Sequence, residues 1–66
     1  MFKKNKLLEQ VKSKGMTLKE VAHRLGIDYS TLYRKMNNDG NFTRTEINNL
    51  IMILEISDPG DIFFSD

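Results

Sequence analysis

A run of hydrogen-bonding side chains lies between residues 29 and 34: Tyr29, Ser30, Thr31, Tyr33 and Arg34, interrupted only by Leu32. Hydroxyls both donate and accept, and a guanidinium donates from a rigid planar fork. Such a run can read the polar edges of another molecule. It holds no paired base for a nucleophile, so its chemistry is recognition and not bond breaking.

The remaining reactive residues do not assemble into a catalyst. His23 is the only histidine and there is no cysteine, so a metal site is not expected. Its helix position is expected to face solvent or lie near phosphate. Ser13, Ser30, Ser57 and Ser65 have no arrangement of base and orienting group. The carboxylates are scattered, and several are accounted for as helix caps. No glycine-rich phosphate loop is present. Sixty-six residues leave little room for a concave pocket. No enzymatic activity, metal, cofactor or small-molecule ligand is expected.

Charge is more informative. The net charge is only +1, but residues 1–35 hold nine Lys/Arg against three acids, and residues 36–66 hold Arg44 against six acids. The first part therefore carries +6 and the second −5. A basic half attracts phosphate backbones and an acidic half disfavours them. A solvated lysine-rich helix with no partner is the competing reading. One domain over residues 1–66 is expected, small enough to be only marginally stable. No apolar run can span a membrane. Lys3, Lys4 and Lys6 are followed by no apolar signal region, and the expected address is cytoplasmic.

Helices must position these groups. Leu7, Leu8 and Val11 form the apolar stripe of a first helix over about Asn5–Lys14, with Gly15 as a left-handed cap. Thr17 and Glu20 form a capping box that opens a second helix. Leu18, Val21, Ala22 and Leu25 share one face of it, and Gly26 ends it. Ala22 would allow two helix backbones to approach closely. Asp28 is the expected cap of a third helix, Tyr29 to about Met36, with Leu32 and Met36 inward and Tyr33 and Arg34 off that face.

Asn37, Asn38, Asp39, Gly40 and Asn41 read as a polar loop. Thr43 and Glu46 form a second capping box. It opens a fourth helix through about Glu55, with Ile47, Leu50, Ile51 and Leu54 on its stripe. Asp58-Pro59 starts a short last helix. Ile62, Phe63 and Phe64 are expected to close the base of the core. Strand signals are weak and short. The fold class is all-α: a bundle of four to five short helices containing a helix-turn-helix.

Two short helices around a tight turn, the second polar at its start, suit insertion of that second helix into a DNA major groove. The residues Thr17, Glu20-Val21-Ala22, Leu25-Gly26-Ile27, Ser30-Thr31-Leu32, Arg34 and Asn37 resemble the lambda-repressor-like, Cro-type helix-turn-helix family, also called the XRE family. Phe42-Thr43-Arg44-Thr45-Glu46-Ile47 and Ile62-Phe63-Phe64 resemble segments of small phage-type regulators within it. The resemblance runs from about Lys6 to Phe64. It implies a phage or bacterial transcriptional regulator, often a repressor or Cro-like protein that binds a two-fold operator as a dimer.

With that resemblance, Tyr29, Ser30, Thr31, Tyr33 and Arg34 are expected to read bases. The Arg34 fork suits guanine O6 and N7. Thr17, Lys19, Lys35, Asn37, Asn38, Thr43 and Arg44 are expected at phosphates. For each lysine, a solvated helix charge competes with that role.

Two positions depart from the family pattern. Leu18 stands where glutamine often clamps phosphate. Lys35 stands where an apolar residue is usual, which implies a shifted helix with Met36 in the core, or a lysine directed outward. Off-face Met52 and Ile53 are the candidate contacts of a homodimer. With Leu18 they also fit a rival, a protein-interaction module on the same fold, such as an antirepressor or adaptor. A second rival, an excisionase-like architectural DNA binder, shares the charge distribution but needs no dimer.

Overall fold

The computed structural model describes residues 1–64, and Ser65 and Asp66, counted above among the serines and acids, lie outside them. Five helices follow in order: α1 (Lys4–Ser13), α2 (Leu18–Leu25), α3 (Tyr29–Asn37), α4 (Arg44–Leu54) and α5 (Pro59–Phe63). No strand occurs among the described residues. α2 packs against both α3 and α4, and α1 packs against α5.

The helix starts show why these segments are helical. In α2 the Thr17 hydroxyl accepts from the Glu20 N–H at 3.2 Å, and the Glu20 carboxylate accepts from the Thr17 N–H at 3.2 Å. In α4 the Thr43 hydroxyl accepts from the Glu46 N–H at 3.1 Å, and Glu46 accepts from the Thr43 N–H at 2.8 Å. Each box satisfies donors that a helix start otherwise leaves open. Asp28 occupies the N-cap position of α3, but its side chain makes no capping hydrogen bond. The expected cap is therefore positional only.

Three helices end alike. Met16 N–H donates to Val11 O, Ile27 N–H to Ala22 O, and Ile56 N–H to Ile51 O, at 3.1, 3.1 and 3.0 Å. The residue before each donor has a positive φ: Gly15 at 67°, Gly26 at 77° and Glu55 at 51°. This ending requires left-handed backbone, which glycine adopts freely and glutamate does not. The α4 carbonyl of Leu54 also accepts from the Gln10 amide at 2.7 Å, tying α1 to that end.

The core centres on Leu7, Val21, Leu32, Met36, Leu50 and Leu54. Each fully buried leucine contributes about 1.5–3 kcal/mol relative to exposure. Leu32 and Met36 are one turn apart, so their burial fixes which side of α3 faces outward.

Two expectations about the core change. Ile62 and Phe63 are buried, but Phe64 is 66% exposed. The base is instead closed by Phe2, whose ring lies 5.8 Å from that of Phe42 and 6.0 Å from that of Phe63. Phe63 and Phe2 already fill the space, so Phe64 is directed out. Ile53 is partly buried against the core and not off-face, whereas Met52 is 76% exposed.

Candidate nucleic-acid interface

The outward side of α3 follows from its inward side. With Leu32 and Met36 buried, Tyr29, Ser30, Tyr33, Arg34 and Asn37 are exposed. Thr31 is half-buried. Tyr29 and Tyr33 are four residues apart, and their rings sit 6.2 Å from each other in a tilted pair. Both keep more than two-fifths of their surface wet. Ser30 and Arg34 form a second row beside them by the same spacing. The expected base-reading set is thus brought to one side of one helix, with Thr31 turned furthest inward.

Around α3 lie the expected phosphate donors. Lys19 is exposed in the first turn of α2 and Arg44 in the first turn of α4. Neither they nor Arg34 has an ion-pair or side-chain hydrogen-bond partner among the described residues. Asn38 is exposed at the C-cap of α3. The Thr17 and Thr43 hydroxyls are engaged in their capping boxes. At Thr17 the backbone N–H is also taken by Glu20. The phosphate contact expected at the start of α2 is therefore left to the first-turn amides and to Lys19. Leu18 is half-buried against the core, where it packs instead of hydrogen-bonding.

Lys35 is redirected. Its ammonium lies 2.8 and 2.7 Å from the two carboxylate oxygens of Glu46, with both side chains largely buried. Burial raises the Glu46 pKa, but the Lys35 hydrogen bond, the Thr43 N–H and the Lys35 charge outweigh it and hold the carboxyl below its ordinary 4.5. Met36 fills the core position, and Lys35 braces α3 against α4.

The pairing of Lys35 with Glu46 has half a signal in the sequence, since the Thr43-x-x-Glu46 spacing marks Glu46 as a cap but says nothing of Lys35. Lys4 has none. Its ammonium donates to Asn37 Oδ1 at 2.5 Å and lies 5.4 Å from the centre of the Tyr33 ring. A separation of 33 residues puts that contact beyond any local pattern.

The basic half of the chain does not remain wholly free. Lys6 pairs with Asp61 at 2.7 Å and Lys14 with Glu55 at 3.4 Å. Part of the positive charge of α1 is thus paired with the acidic carboxy-terminal region. No cluster of His, Cys, Asp or Glu that could hold a metal ion occurs among the described residues. No helix among them is long and apolar enough to cross a membrane.

A helix held by its apolar face, capped behind by a tight turn and polar outward, defines a helix-turn-helix DNA-binding domain. The chain matches the family of the Cro/C1-type HTH DNA-binding domain over residues 6–64 and belongs to it. No curated protein and no solved structure matches the chain.

Proposed function

We propose that this DNA-binding domain acts as a sequence-specific transcriptional regulator, a repressor or Cro-like protein of a phage or bacterium, with α3 in the major groove of its operator. The observation that carries the reading is the division of α3 into a buried Leu32/Met36 side and an exposed side bearing Ser30, Arg34 and the two tyrosines. Arg34 and Ser30 address base edges. Arg34 supplies the paired donors that guanine accepts. Tyr29 and Tyr33 contact thymine methyls or the flanking strand, and Thr31 contributes at the start of the helix. Lys19, Arg44, Asn37, Asn38 and the helix starts at Thr17 and Thr43 grip phosphates on the two sides of the groove.

Two copies bind a two-fold operator in this reading, with exposed Met52 as the candidate contact between them. The same exposed Met52, together with exposed Phe64, favours the second reading, a protein-interaction module that retains the bundle.

Selection of bound sequences from a random DNA library at moderate salt tests the proposal. A palindromic consensus supports the dimeric regulator. Weak binding without enrichment, vanishing as salt rises, is non-specific phosphate contact and would sink it.

A further inference from the structure

Phe2, Lys3 and Lys4 are each held against the bundle. Lys3 N–H donates to Ile62 O at 2.7 Å. Phe2 is buried between Phe42 and Phe63. Gly40, at φ 67°, leaves its Cβ position to the Phe2 ring. This anchoring fixes the start of α1 and seats Lys4 against the flank of α3.

What Lys4 meets there is chemically specific. Tyr33 and Asn37 are one turn apart on one side of α3, and Lys4 touches both. Tyr29 continues the same ridge through its ring contact with Tyr33. Lys4 has no carboxylate partner among the described residues, whereas Lys6, Lys14 and Lys35 each have one. An ammonium only donates, so Asn37 must present Oδ1 to it and turn its amide N–H₂ elsewhere. The Lys4 ammonium and the Asn37 amide therefore stand side by side as donors, with the Tyr33 hydroxyl on the same ridge. Phosphodiester oxygens accept from all three.

We propose that Lys4 is a DNA-binding residue: its ammonium takes a backbone phosphate beside α3, together with Asn37, while its contact with the Tyr33 ring holds that side chain along the strand. This rests on the reading of α3 as the recognition helix. It adds the start of α1 to the interface and separates two rows. Ser30 and Arg34 address bases, and Tyr33, Asn37 and Lys4 follow the backbone.

The test uses the full chain and the DNA sequence that it selects. Lys4→Met preserves the stem against Tyr33 but removes the charge, and Lys4→Arg restores a cation. The selected consensus is expected to be unchanged for Lys4→Met, with weaker binding and a salt dependence shallower by about one phosphate contact. Between 50 and 200 mM salt the variant then loses about 3.5-fold less affinity than the wild type. Lys4→Arg is expected to recover the wild-type slope. Lys12→Met, an exposed lysine at the far end of α1, should leave the slope unchanged. Enrichment by the wild type with no change of affinity or slope in Lys4→Met overturns the Lys4 assignment alone, as does failure of Lys4→Arg to recover the slope. Absence of enrichment by the wild type overturns both this inference and the reading beneath it.

Discussion

The ammonium of Lys35 lies 2.7 Å from the Glu46 carboxylate, joining the last turn of α3 to the first turn of α4. Glu46 thus serves two elements at once. It caps its own helix through the Thr43 N–H and restrains the neighbouring one through Lys35. In the proposed reading of α3 as the recognition helix, its outward row must be held at a fixed orientation. Here a shared carboxylate contributes to that restraint.

Acid should weaken this joint. The Glu46 carboxyl titrates below its ordinary 4.5 in the folded chain. A lowered folded pKa gives stability that is complete above the unfolded value and lost as pH falls through the folded one. Glu46→Gln keeps an oxygen for the Thr43 N–H but loses the charge. We expect it to be less stable at pH 7 by about 1 kcal/mol and to show a flatter decline below about pH 4.5 than the wild type. Urea melts from pH 7 to pH 3 measure both, and parallel acid limbs for the two proteins would contradict the assignment.

Three substitutions separate reading from gripping and bracing. Arg34→Ala should relax the selected consensus at one base pair per half-site, at about 1–3 kcal/mol. Lys19→Ala should weaken all sequences alike and make the salt slope shallower by about one. Lys35→Met should leave the slope where it is, because its ammonium is already neutralised by Glu46. Titrations of each variant at several salt concentrations decide the matter, and a shallower slope for Lys35→Met would return that lysine to the phosphates.

Glu55 carries a left-handed backbone at the end of α4, where α1 and α2 use glycine. An L-residue there costs about 1 kcal/mol that glycine avoids. Its ion pair with Lys14 is long and exposed on the Glu55 side, and such pairs contribute little. Glu55→Gly should therefore raise stability by about 1 kcal/mol, or roughly 4–8 °C in melting temperature for a domain of this size. A melt that is unchanged or lower would show that the side chain matters more than the backbone.

Gly26 and Gly40 both have positive φ, yet alanine should not cost the same at the two. Nothing lies within 4 Å of a Cβ at Gly26, so Gly26→Ala meets only backbone strain, about 1–2 kcal/mol. At Gly40 the added methyl runs into the Phe2 ring and its Cβ. Gly40→Ala must also displace a buried aromatic, so it should be the more destabilising, and it should weaken DNA binding by loosening Lys4. Comparing denaturation of the two variants checks the order. Equal losses would mean that Phe2 yields without cost.

The sequence by itself determined whatever depends on neighbours three or four residues apart. The two Thr-x-x-Glu boxes, the turn at Gly26, and the inward pair Leu32 and Met36 were legible because a helix's own spacing sets them. The polar side of α3 then followed as the complement of its apolar side. Asp28 was legible as a helix start but not as an unbonded cap, since residue type fixes a cap's capacity and not its use.

The tertiary structure alone decided what crosses long separations. It put Phe2 in the place expected for Phe64, turned Ile53 inward, gave Lys35 to Glu46, and set Lys4 on Tyr33 and Asn37. None of these follows from periodicity, because each depends on which space the other helices had already filled and which charges met once they packed. Local spacing chose the side of α3 that faces outward, and packing chose which lysines meet it and which are paired with carboxylates.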